Sequence, residues 1–330
     1  MDLTRLRHSM IGYLARRAAT ALALVFLVLT VLFFLVRLAP GRPAAFYDNQ
    51  LATADEQENL RRAFGLDQPI PIQYLHWLES TVTGNWGVSF SKHRPVIHVL
   101  AESLPQTLLL ATTALFLQYL LGLVLGITSA RRLGSLGDHL IRLLSLIVYS
   151  IPSFWLGLMA LLLLSYRLPF FPGGGMNSVG AATMSPWGYA LDLAHHLALP
   201  AGVLGIAAAA GVARHVRNDL ADVLQEDYIR TARAKGVSEH AVVWVHGLKN
   251  AAASLTQLAG LALPFLLSGA LVIEVVFSWP GMGRLTFDAI TARDYPLILG
   301  ATTLTALLVV GGSFLADVLL AVVDPRVRDA

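Results

Sequence analysis

The chain has 330 residues, of which 55% are hydrophobic and 14% charged, with a formal net charge of +3 and no cysteine. Water is the wrong solvent for most of such a sequence. The missing cysteine excludes disulfides, thiol catalysis and cysteine-ligated metals, and basic residues scattered between apolar runs give no stripe for nucleic acid.

A helix needs roughly twenty apolar residues to cross a bilayer, and six uncharged runs of that order predict an all-α integral membrane protein with six transmembrane helices. The first, Ala18 to Val36, follows Arg5, Arg7, Arg16 and Arg17. A cleaved signal peptide is the competing reading, but the run is longer than a signal core, and its loss would leave an odd number of spans. A polar segment, Arg37 to Glu102, comes next and is far longer than a connection requires. Leu60, Phe64, Leu66, Ile70, Ile72, Tyr74, Leu75, Trp77 and Leu78 give it apolar residues to bury, so a small extracytoplasmic domain without chemistry is expected.

The second span, Ser103 to Ala130, carries the GxxxG pair Gly122 and Gly126, a pattern for close helix contact, within this chain or with another. Pro152 predicts a bend in the third, Leu143 to Tyr166. The fourth, Leu193 to Ala213, opens with His195 and His196, which face different sides of a helix and suit an outer interface better than a metal site. Its smooth patch Ala207 to Gly211 is a second packing surface.

A patterned segment follows from about Arg214 to Lys249. Leu220, Val223, Leu224 and Tyr228 recur at helical spacing, which predicts a short amphipathic helix across the membrane face. Gly236 suits a left-handed helix end and Ser238 the start of the next helix. The fifth span, Asn250 to Ile273, contains Pro264 and is followed by Glu274, readable as an interface anchor or as part of an entrance. Tyr295 to Ala316 is the sixth, with Asp317 expected as an interface anchor. Span centres free of ionisable groups argue against an ion-coupled carrier or stand-alone channel, and no catalytic constellation lies at one depth. None of Lys92, Lys235 and Lys249 follows a glycine, so a Walker A loop is excluded.

Lys and Arg concentrate before the first span, at Arg131, Arg132 and Arg142, between Arg214 and Lys249, and at Arg326 and Arg328, whereas the opposite short loops hold only Arg167, Arg284 and Arg293. The positive-inside rule therefore predicts a multi-pass protein with both termini cytoplasmic.

The run Asp227-Tyr228-Ile229-Arg230-Thr231-Ala232-Arg233-Ala234-Lys235-Gly236, with His246-Gly247-Leu248-Lys249-Asn250-Ala251, resembles the EAA loop of binding-protein-dependent ABC-importer permeases, more narrowly the first permease of the dipeptide, oligopeptide and nickel group. Phe64 to Pro69 with Gln73-Tyr74, Gly84 to Phe90, Glu274 to Gly283 and Arg293 to Pro296 carry the same resemblance, nearly end to end. One departure is Ser254, where the family usually has proline.

The resemblance implies a type I ABC-importer permease fold in a bacterial inner membrane. It implies a coupling helix at about Gln225 to Gly236 that seats in an ATPase cleft through Asp227, Tyr228, Arg230, Thr231, Ala232, Arg233, Ala234, Lys235 and Gly236. Glu274, Phe277, Pro280, Gly281 and Gly283 are candidates for a pathway or entrance. Domains are then residues 1–37 (N-terminus and first span), 38–102 (extracytoplasmic domain), 103–323 (permease core with the 214–249 loop) and 324–330 (tail). Implied partners are a homologous second permease, two ATPase subunits binding ATP and Mg, an extracytoplasmic binding protein and lipid; this chain carries no cofactor. Di- or oligopeptides are the expected cargo, with nickel, a metal chelate or a glutathione-like compound as the alternative.

Overall fold

A computed structural model describes residues 3–38, 67–248 and 270–323. Backbone groups in an apolar medium must pair within their own segment. The described residues accordingly form helices, with no strand among them beyond an isolated bridge between Val88 and Pro95. The helices are α1 (Leu3–Leu38), α2 (Ile70–Val82), α3 (Val96–Arg131), α4 (Leu136–Ser150), α5 (Ser153–Ala160, continuing as a π turn Leu161–Arg167), α6 (Pro186–Val223), α7 (Asp227–Ala234), α8 (Met282–Thr291) and α9 (Tyr295–Val323). Spans in α1, α3, α6 and α9 are long and apolar enough to cross a membrane, and α4 with α5 makes a fifth if counted as one. The remaining expected span, with Pro264 and Ser254, lies outside the described residues except for its helical end at 270–276.

The bend expected at Pro152 is a corner of 99° between α4 and α5. Proline disfavours helical geometry at the residue before it, and Ile151 is extended, at φ −83° and ψ 127°. Pro105 and Pro200, by contrast, sit inside α3 and α6 without ending them.

The most extensive contact between described helices joins α3 to α6 and settles where the GxxxG face goes. A Cβ added at Gly122 would lie 2.6 Å from the Val212 Cβ, and one at Gly126 2.6 Å from the Val216 Cβ and 2.8 Å from the Ala213 carbonyl. Gly205 of α6 likewise lies against Leu117 and the Ala114 carbonyl. Both glycine faces therefore meet within this chain, where only a missing side chain lets the backbones approach. Around this seam pack Ile127, Ala130, Val212, Val216 and Leu220 at one end and Leu110, Ala114, Leu204 and Trp279 at the other.

Two observations concern the polar segment. Helix α3 begins at Val96, so the boundary placed at 102/103 falls inside a continuous helix. Among its described residues the segment has no core of its own: α2 buries no residue and leaves Ile70, Ile72 and Leu75 exposed. It docks on α1 instead, where Phe33 lies 5.4 Å from Tyr74 and 5.3 Å from Trp77, and Thr30 hydrogen-bonds the Tyr74 hydroxyl at 2.8 Å. Leu60, Phe64 and Leu66 lie outside the described residues. Asp317 is paired across helices as well, 3.2 Å from Arg17 of α1. His195 reaches the Phe170 carbonyl at 2.6 Å and His196 the Asp192 carbonyl at 2.8 Å, while Asp192 also accepts from the Ser178 amide and hydroxyl, tying the start of α6 to its preceding loop.

Candidate functional site

Helix α6 stops at Val223 because Gln225 and Glu226 turn the chain, and Glu226, extended at ψ 149°, starts α7. The helix is therefore shorter than the Gln225 to Gly236 expected for a coupling helix. Leu220 and Val223 belong to the preceding helix, so the apolar spacing read across them runs over a break. The buried side chain of α7 is Ile229, fully enclosed, whereas Tyr228, expected on the apolar face, is 44% exposed. With Ile229 inward and Ala232 half-buried, Asp227, Tyr228, Arg230, Thr231, Arg233, Ala234, Lys235 and Gly236 form an exposed ridge.

Its end is closed by backbone geometry. The Gly236 amide donates to the Arg233 carbonyl at 2.9 Å and the Val237 amide to the Ala232 carbonyl at 3.2 Å, with Gly236 at φ +80°. This is a Schellman end, which favours glycine because other side chains pay for a left-handed backbone. Ser238 then caps the next turn through the Ala241 amide. Arg233 donates to both oxygens of Glu239 at 2.7 and 3.3 Å, bracing the turn from inside the chain. Arg230 pairs with Asp227 on the exposed face at 3.2 Å, and Lys235 makes no such pair among the described residues. Buried Val242 and Val243 and Gly247, held against Leu220, seat the following segment on α6.

At the same end of α6 lies an anchor that the sequence reading missed. Asp138, 1% exposed, accepts from Arg217 Nε at 2.7 Å and Nη2 at 2.9 Å, from the Gly134 amide at 3.0 Å and from Ser129 Oγ. One carboxylate thus ties the end of α3, the start of α4 and α6 together. The Ser135-x-x-Asp138 spacing at a helix start was the available clue, and Ser135 does cap α4.

The opposite end holds a second constellation. Glu274, fully buried, accepts from Thr107 Oγ1 at 2.7 Å and from the Gly283 and Arg284 amides at 2.7 and 3.1 Å, so it closes the N-terminus of α8. Thr107 accepts in turn from the Met282 amide, and Trp279 Nε1 donates to the Gln106 carbonyl. A Cβ on Gly281 would fall 2.3 Å from the Glu274 carboxylate, and one on Gly283 2.4 Å from the Leu271 Cα. Asp294, also fully buried, caps α9 through the Leu297 amide and holds Ser89 and Ser91 of the loop before α3. The Glu274 oxygens, expected at an interface or an entrance, face the chain interior. Phe277 is buried too, packed on Gly157, while Pro280 is exposed.

With this geometry in hand, comparison with known proteins decides the family. The sequence model of the binding-protein-dependent transport system inner membrane component matches residues 122–329, and the N-terminal model of the same transport systems matches residues 10–111. The chain belongs to this family of ABC-importer permeases. The permease is 38% identical to the oligopeptide transport system permease protein AppB of Bacillus subtilis, over 97% of this chain and 100% of that one. It is 36% identical to the di/tripeptide transport system permease protein DppB of Pseudomonas aeruginosa, over 97% and 99%. The same permease chain superposes on one of the inward-facing MetNI methionine ABC transporter at a TM-score of 0.56 and 19% identity, covering 70% of this chain and 98% of that one, which supports the shared fold. It is a multi-pass inner-membrane subunit and not itself an enzyme; its family works with ATPase and binding-protein partners.

Proposed function

We propose that this permease forms half of the translocation pathway for di- and oligopeptides, in complex with a homologous second permease, two ATPase subunits that bind ATP and Mg, and an extracytoplasmic binding protein. The observation that carries the reading is the exposed ridge Asp227–Ala234, with Ile229 buried beneath it, closed at Gly236 and packed on the Val242–Gly247 turn, which itself lies against Leu220 of α6. A short helix held firmly on one side and bare on the other suits docking in a cleft of an ATPase. Small Ala234 at its tip permits close approach, and Lys235 and Tyr228 supply polar contacts. The names of the relatives support peptides as cargo.

In this reading the end bearing Arg131, Arg142, Arg214 and α7 is cytoplasmic, both termini lie on that side, Asn250 to Ile273 is the fifth of six spans, and the polar segment before α3 is extracytoplasmic. The exposed Pro280 is the residue of the second constellation placed to meet a pathway.

The test is Gly236→Val. A β-branched residue at φ +80° costs about 1–3 kcal/mol of local strain, so ATP-driven uptake by the assembled complex should fall at least about tenfold while the complex still assembles. Unchanged uptake would overturn the coupling assignment. Mass spectrometry of the ligand copurifying with the cognate binding protein tests the cargo: peptides are expected, and a metal chelate or glutathione-like compound would replace them as the substrate.

A further inference from the structure

The seam between α4 and α6 opens at the basic end into a cleft of about 210 Å³, lined by Ser129, Ser145, Asn218, Arg142, Arg214 and Arg217, with apolar Ile141, Leu146 and Ala213 completing it. Its charge is unbalanced. Arg217 is matched by Asp138, but Arg142 pairs with no carboxylate among the described residues, and the Arg214 guanidinium rests over the Tyr149 ring, 5.2 Å from its centroid. Two cationic charges therefore remain over a small cleft that also offers the hydroxyl of Ser145 and the amide of Asn218. Directly along α4 the surface turns apolar, with Leu143, Leu146, Ile147 and Tyr149 all exposed. A cationic polar recess bordered by bare aliphatic and aromatic surface matches a molecule with an anionic head and apolar tails. The recess sits where a span meets its basic flank, the depth of a headgroup.

We propose that this cleft binds the phosphate headgroup of an anionic membrane phospholipid, with Arg142 and Arg214 on the phosphate and the acyl chains along α4. The excess of two positive charges favours this occupant over a zwitterionic lipid, whose choline would add a cation to the site.

The assembled transporter, purified in detergent and stripped of lipid, is titrated with phosphatidylglycerol or phosphatidylcholine and followed by native mass spectrometry. Phosphatidylglycerol should bind selectively. Each basic residue near a membrane surface contributes on the scale that makes Arg142→Gln with Arg214→Gln weaken that binding about 30-fold. Equal affinity for the two lipids in the wild type would overturn the proposal, as would unchanged binding in the double variant. Displacement of the lipid by equimolar inorganic phosphate would also overturn it, because the site would then be one for free phosphate. Ser145→Trp fills the cleft without altering its charge, and should likewise lose phosphatidylglycerol; its retention counts against the site. If the double variant instead abolishes pairing with the second permease, and the wild-type complex takes up no lipid, the cleft is a protein interface and the lipid assignment is wrong.

Discussion

Asp294 spends both oxygens on the fold: one accepts from Ser89 and from the amide and hydroxyl of Ser91, the other from the Leu297 amide. Asp294→Ala removes a helix cap and strands buried donors, and should cost about 2–4 kcal/mol in thermal unfolding of the purified complex. Asp294→Asn, which keeps one acceptor, should cost less. On the exposed side, the hydrogen bond from Arg233 holds the Glu239 carboxyl below its ordinary value, opposed by partial desolvation and helped by the charges of Arg233 and Arg131. A lowered carboxylate pKa stabilises the fold above the ordinary glutamate range, and that contribution fades as pH falls through the lowered value. Amide-exchange protection at Gly236 and Val237 should therefore differ between wild type and Glu239→Gln at neutral pH and converge in acid. Because the pair is exposed, the difference should stay under about fivefold. These motifs were legible as strings because backbone close to a carboxylate demands glycine and a buried cap demands an acid. Their orientation was not: Tyr228 and Ile229 are adjacent, and which one turned inward was decided by where α6 stopped.

At the scale of elements, four of the runs, and a fifth if α4 and α5 count as one span, were readable, since a bilayer requires length and hydropathy and little else. The breaks were harder. Pro105, Pro152 and Pro200 look alike in sequence, yet only Pro152 ends a helix, because Ile151 before it takes up an extended backbone whereas the other two stay within continuous helices. The partner of Gly122 and Gly126 was equally hidden, for a smooth face says how closely another helix comes and not which one. The structure supplies a test. Gly126→Val places side-chain atoms where Val216 and the Ala213 carbonyl already stand, and should destabilise the subunit by about 1–3 kcal/mol. Gly211→Ala, whose added Cβ meets nothing within 4 Å, should be neutral or slightly stabilising, which separates packing from helix propensity. Thermal unfolding of the two variants side by side makes the comparison.

For the whole molecule, the absence of cysteine makes single-cysteine topology mapping clean. Val179, fully exposed in the loop before α6, and Ala234 at the tip of α7 lie toward opposite ends of that helix. A membrane-impermeant maleimide added to intact cells should label Val179→Cys, and should reach Ala234→Cys only after the membrane is opened; the reverse pattern would invert the proposed orientation. Charge asymmetry predicts this orientation from sequence alone. The mechanical layout was not readable, because it depends on α6 running unbroken from Pro186 to Val223. A helix of that length is a rod of about 57 Å. Its first turns are tied to Ser178 through Asp192, its middle is pressed backbone to backbone on α3, and three residues beyond its last turn α7 begins. Under the proposed coupling role, a displacement of the short helix would therefore be passed both along α6 toward its far end and, through the glycine seam, to α3.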